Sequence, residues 1–203
     1  MSDLPDIIIL MPDQMRADCM GCAGNEVIRT PNLDALAAES VRFTRACTTS
    51  PLCMPARASF ISSIYSHNHG MWDNLGCLPA HDETIFHHLQ RAGYFTAHVG
   101  KSHYYQHVAG DHLRNWEPYM RARGFDYVHE TTGPWATSRT DSLMTDHWAQ
   151  LGLLTTFRQD YERRRGNPAA VWPSPLPTEE HPDAYVGRQA CALLGDYRAD
   201  RPL

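Results

Sequence analysis

The sequence predicts an α/β fold: a three-layer sandwich in which helices cover both faces of a mostly parallel central sheet. Three observations carry that prediction. Asp6 to Met11 is a continuous apolar, β-branched run of the kind found in strands buried on both faces. Strand-like and helix-like segments alternate from there to about residue 100, the pattern of a parallel sheet with crossover helices. Asp13 and Lys101 each stand just past the carboxyl end of a predicted strand, where open parallel sheets bind their ligands.

Taken in order, the first strand is closed by Pro12-Asp13. Thr30-Pro31-Asn32-Leu33-Asp34 opens a helix with a capping hydroxyl and a proline in its first turn; Leu33, Leu36 and Ala37 give it an apolar face, and it should run to about Ser40. Val41-Arg42-Phe43-Thr44 is a short strand candidate. After Pro51 the spacing turns helical. Ala58, Ile61, Ile64 and Tyr65 share one side of a helix beginning near Pro55, which sets Cys53 at or just before its N-terminus. Thr84 to Ala92 reads as another helix stopped by Gly93, followed by a strand from Tyr94 to Val99 that breaks at Gly100.

Beyond His103 the pattern weakens. Trp116, Trp135 and Trp148 are scattered among polar residues, and Arg163-Arg164-Arg165 reads as a solvated basic surface. Trp172 to Pro177 is extended and proline-stiffened, and Asp183 to Leu194 carries Tyr185, Ala190, Leu193 and Leu194 at the spacing of one amphipathic helix.

Composition narrows the classes of function. With 203 residues, 42% hydrophobic and 20% charged, the chain has the makings of one globular domain. The formal net charge of -5 supplies no overall positive field, so neither nucleic acid nor an anionic membrane is an expected partner. No apolar run approaches the roughly 18 to 20 residues that span a bilayer. The opening Met1-Ser2-Asp3-Leu4-Pro5-Asp6 lacks the basic start of a secretory signal, and the expectation is a cytoplasmic protein. Six cysteines are too few for a disulfide scaffold at this length. Cys19-x-x-Cys22 lacks the second half-site that structural zinc needs and reads as two ordinary thiols.

The chemistry concentrates in Pro51-Leu52-Cys53-Met54-Pro55-Ala56-Arg57. Cys53-x-Pro55-x-Arg57 resembles the signature of the sulfatase family, within the alkaline phosphatase superfamily. Asp13-Gln14, Thr30 to Ala37, Gly93 to Thr96 and Gly100-Lys101-Ser102-His103 resemble further motifs of that family in its order. The resemblance covers most of residues 6 to 105, and more weakly residues 176 to 203. It implies that Cys53 is oxidised to formylglycine by a maturation enzyme, and that the substrate is a small sulfate ester. It further implies that Arg57 steadies the modified residue, Lys101 bridges it to the sulfate, and His103 hydrogen-bonds its diol. Ser66 to Asn74 resembles a turn of choline-sulfatase-like and phosphonate-monoester-hydrolase-like members, which makes Asn74 a candidate substrate contact. His67 and His69 fit a helix C-terminus ending at Gly70 as well as they fit ligands.

The chemistry is coherent with those residue types. A hydrated aldehyde has two hydroxyls on one carbon, so one can attack sulfur and the other can later lose its proton and expel sulfate as the aldehyde re-forms. A divalent cation lowers the pKa of an oxygen bound to it. Asp13, Gln14 and the modified Cys53 are the implied metal ligands, with Ca2+ favoured by hard oxygen donors and Mg2+ or Mn2+ as alternatives. Gln14 departs from the paired aspartates of many sulfatases and leaves the site one negative charge short. Charge spread over the transferring group calls for fixed cations and a helix N-terminus.

Family members are longer, so residues 1 to 203 are expected to form the N-terminal part of a single catalytic domain. On that expectation the chain alone would be inactive and poorly soluble. Two alternatives stay open: a phosphonate monoester or phosphodiester hydrolase built on the same nucleophile, and a non-catalytic truncated product. Oligomeric state leaves no mark in the sequence.

Overall fold

The computed structural model describes residues 4–79, 83–167, 169, 171–197 and 201–203. They fall into two compact units, Ile8–Thr48 and the larger Met1–Ile7 with Thr49–Leu203.

In the smaller unit, α1 (Pro31–Ala38) begins with proline at its first turn as expected and stops short of Ser40. Thr30 does not cap it. Its hydroxyl accepts from the Gly21 N–H at 2.8 Å and donates to Asp34 Oδ1 at 3.0 Å, while that carboxylate accepts from the Cys22 N–H at 2.7 Å. These bonds tie α1 to the two short 3-10 turns carrying Cys19 and Cys22, both free thiols.

The larger unit runs through α2 (Cys53–Ser62), α3 (Ser66–His69), α4 (Ile85–Arg91), β1 (Ala97–Lys101), α5 (Glu117–Arg121), β2 (Tyr127–Thr131), α6 (Pro134–Thr137), α7 (Leu143–Gln150), α8 (Leu154–Arg165) and α9 (Pro182–Asp196). The sheet among the described residues is β1 paired with β2 in parallel, from Ala97 opposite Tyr127 to Lys101 opposite Thr131. Helices pack around it, so the α/β class holds with a small parallel sheet.

Several expectations need correction. Ile7 to Met11 is not a strand and is exposed, Leu10 at 77%. A strand exists only through a ladder of partners, and among the described residues this run makes one such bond, Ile7 N–H to the Leu203 carbonyl. Val41 to Thr44 is likewise exposed and, among the described residues, forms no strand pairing. The predicted strand from Tyr94 is displaced because its first residues bond elsewhere. Tyr94 N–H closes α4 on Leu89, Phe95 N–H reaches Pro202, and the ladder begins at Ala97. α2 is shorter than its apolar spacing predicts: Ser63 adopts φ 59° and ends the helix, leaving Tyr65 exposed.

Other elements match their sequence logic. Met54, Ala58 and Ile61 recur at helical spacing and are fully buried against Met71, Tyr104, Tyr105 and Phe125. At about 1.5–3 kcal/mol for each large apolar side chain, this face fixes where α2 points. α4 has a capping box between Thr84 and His87, and Gly93 follows it at φ 94°. A second cluster of Met144, Trp148, Phe157, Leu176 and Tyr185 joins α7, α8 and α9. Trp116 stacks on Tyr105, with ring centroids 4.3 Å apart. Arg163 and Arg164 pair with Asp160, and Arg165 pairs with Glu162, which leaves that run a largely neutralised surface. No helix among the described residues is long and apolar enough to cross a membrane.

Candidate active site

Any helix start leaves backbone N–H groups without intrahelical partners. α2 begins at Cys53 itself, and the preceding Leu52 offers no side-chain oxygen to cap it. Pro55, in the first turn, contributes no N–H and so needs no partner. The cap comes from a distant loop. Asn74 Oδ1 accepts the Met54 N–H at 3.0 Å, which turns the Asn74 amide nitrogen toward Cys53 Sγ at 4.0 Å.

His69 fixes that loop. Its Nδ1 accepts the Met71 N–H at 3.1 Å, which leaves Nε2 as the protonated nitrogen, donating to Ser59 Oγ in α2 at 3.0 Å. Both ring nitrogens of this buried histidine are therefore engaged in holding the Asn74 loop to the helix, and the reading of His69 as a ligand falls away. His67 is exposed and stacks on Tyr65.

Arg57 lies one helical turn past Cys53. Its guanidinium donates to the backbone carbonyl of Lys101 at 2.6 Å, tying α2 to the carboxyl end of β1. Lys101 is the last residue of that strand, and its side chain runs along Gly133, just beyond β2. A methyl group added at Gly133 would sit 3.2 Å from Lys101 Nζ and 3.5 Å from its Cδ and Cε. Glycine is what lets the chain pass so close to the lysine. His103 follows at φ 53°, left-handed backbone that is unusual outside glycine, with its ring 4.9 Å from that of His107.

The larger unit thus ties Asn74 to the Cys53 end of α2, and ties Arg57 to the backbone of Lys101, two residues before His103. Two cationic side chains and the N-terminus of a ten-residue helix take part, an arrangement suited to an anion. Behind it, His98 and His129 are held below the usual histidine pKa, chiefly by burial. Asp13 and Gln14 belong to the smaller unit, where Gln14 adopts φ 58°. Among the described residues no three His, Cys, Asp or Glu side chains group as a metal site. The donor types at Asp13 and Gln14, a carboxylate and an amide oxygen, fit a hard cation, though two ligands are fewer than the six or more it takes.

Comparison with known proteins decides the family. A model described as Sulfatase matches residues 5–166, most of the chain. The chain belongs to the sulfatase family. Human arylsulfatase D is 36% identical over 138 residues, covering 62% of this chain and 23% of that protein. The choline-sulfatase of Rhizobium meliloti is 40% identical over 113 residues, covering 56% and 22% respectively. The solved structure of the phosphonate monoester hydrolase of Agrobacterium radiobacter aligns over 92% of this chain and 37% of that one, with a TM-score of 0.62; at 22% identity the likeness is one of fold. The sulfatase chain described here spans about a quarter of the length of these curated relatives.

Sequence reasoning missed Gly133 and the holding role of His69. Gly133-Pro134 directly after a strand end was the available signal for the first, but β2 itself had not been recognised.

Proposed function

We propose that the complete protein carrying this chain hydrolyses small sulfate esters at residue 53, after a maturation enzyme has converted Cys53 to formylglycine. The observation that carries the reading is the placement of Cys53 as the first residue of α2, with the Asn74 amide beside its sulfur and Arg57 bonded to the Lys101 backbone.

Formylglycine, as its hydrate, supplies an oxygen nucleophile whose sulfate ester can be released by re-forming the aldehyde. Asp13 and Gln14 would supply oxygen ligands to a divalent cation, Ca2+ before Mg2+ or Mn2+, which supplies a positive charge that favours an ionised hydroxyl. The chain's own residues do the rest. The N-terminus of α2 and the Lys101 ammonium face negative charge as it builds on the transferring sulfate. Arg57 holds α2 and the end of β1 in register, so that nucleophile and lysine keep a fixed separation. The Asn74 amide N–H donates to an oxygen near residue 53, and His103 hydrogen-bonds the attacking or departing hydroxyl.

The test is turnover by the complete protein, produced with a formylglycine-generating enzyme and assayed on an aryl sulfate. Cys53→Ala should lower kcat by about a thousandfold or more. Undiminished turnover by that variant, or cleavage of aryl phosphonate esters with none of aryl sulfates, would overturn the proposal.

A further inference from the structure

A buried carboxylate that the chemistry above does not use lies directly behind the Lys101 and His103 turn. Glu130 is 4% exposed and stands opposite Gly100 in the parallel ladder, one residue before the pair of Lys101 with Thr131. One carboxylate oxygen accepts the Ser102 hydroxyl, and the other accepts the Tyr105 hydroxyl at 2.6 Å. Those two donors flank His103 in the chain. His107 closes the arrangement, with Nε2 3.8 Å from Glu130 Oε1 and its ring packed 4.9 Å from that of His103.

Burying a carboxylate costs several kcal/mol unless hydrogen bonds compensate it, so a merely structural position would be better served by an apolar side chain. Here the compensation comes from the segment that must be held. His103 sits at φ 53°, a conformation that persists in a non-glycine residue only when its surroundings fix it. Ser102 and Tyr105 are fully buried, and burial followed by the nearby charge of Glu130 holds the Tyr105 hydroxyl well above its usual pKa, so it remains a donor.

We infer that Glu130 is the positioning residue of the active-site turn: through Ser102 and Tyr105 it clamps both sides of His103 and sets the direction of Lys101 and His103 toward residue 53. The inference rests on the sulfatase reading of that site. Glu130 touches neither substrate nor nucleophile and acts through its neighbours.

The test uses the complete matured protein and the variants Glu130→Gln and Tyr105→Phe. The amide keeps the shape and can bond both hydroxyls, but only one of them as acceptor. Glu130→Gln should therefore lower kcat on an aryl sulfate roughly ten- to a hundredfold, the scale of a small misplacement of reacting groups, with KM and Tm near those of the parent. Tyr105→Phe should cause a smaller loss, and adding it to Glu130→Gln should cost little more, because both act on one clamp. Histidine-selective NMR supplies a readout independent of turnover: Glu130→Gln should move the His103 and His107 ring resonances and leave those of exposed His67 in place. If the parent shows no sulfatase activity, the functional reading fails while this shift still reports on the clamp. Unchanged kcat with unmoved His103 resonances in Glu130→Gln would overturn the inference, as would a kcat loss that merely follows a fall in Tm.

Discussion

Cys53 and Arg57 are one helical turn apart, and that spacing announced a helix start with a cation on the same side, while the nucleophile itself was implied only by the resemblance of Cys53-x-Pro55-x-Arg57 to the sulfatase signature. The structure adds what makes the start usable: the Met54 N–H is capped from outside the helix, by Asn74. The two halves of the Asn74 side chain then have separable effects. Asn74→Asp keeps the acceptor for Met54 and should leave Tm close to the parent, yet it sets a carboxylate beside an anionic substrate and should cut kcat/KM at least about tenfold. Asn74→Ala removes the cap and should cost about 1 kcal/mol of stability as well. Thermal melts and aryl sulfate kinetics on the two variants separate these effects. Gly133→Ala makes a second residue-scale prediction. The added methyl would meet Lys101 Nζ at 3.2 Å, so the lysine must shift; activity should fall several-fold while stability stays within about 0.5 kcal/mol. Gly133 went unread in the sequence because its importance is a close approach to Lys101 that follows from the pairing of β2 with β1, and β2 was not recognised.

At the scale of elements, legibility followed whether a segment carries its own evidence. α2, α4 and α9 do, through apolar spacing, with Thr84 and Gly93 bracketing α4 and a proline in the first turn of α9. Strands do not, because their stability lies in a partner. Asp6 to Met11 and Val41 to Thr44 have strand composition and no ladder, while β2 has a ladder under the unpromising sequence Tyr127-Val128-His129-Glu130-Thr131. β2 hides because its buried positions are His129, Glu130 and Thr131, polar residues in place of an apolar alternation. The helix that carries Cys53 should be the costliest to disturb. Met54→Ala, at a fully buried position, should lose about 2–5 kcal/mol in urea unfolding. The strand pair predicts a pH dependence. Burial lowers the pKa of His98 and His129 from 6.5, so near neutrality both states leave them uncharged. Below that value the unfolded chain takes up protons that the fold refuses. Stability should therefore be full above about pH 7 and decline as pH falls through the folded-state pKa values, and His98→Gln should lessen that decline in urea midpoints measured across the range.

At the scale of the whole molecule, a net charge of -5 coexists with a local set of Arg57, Lys101 and a helix N-terminus, so the sum says little about the ligand. The family was legible because its motifs are short and ordered along the chain. Asp13 and Gln14 were legible only as donor types, and they belong to the smaller unit. In the complete protein, chelation should abolish aryl sulfate turnover, and Ca2+ should restore it where Zn2+ does not. The central claim is that residue 53 becomes an aldehyde, and mass spectrometry of the proteolytic peptide spanning Cys53 tests it most directly, on protein made with a formylglycine-generating enzyme. Formylglycine at position 53 should show the mass change of CH2SH replaced by CHO, together with reactivity toward a hydrazide. An intact thiol at Cys53 in protein that turns over sulfate esters would contradict it.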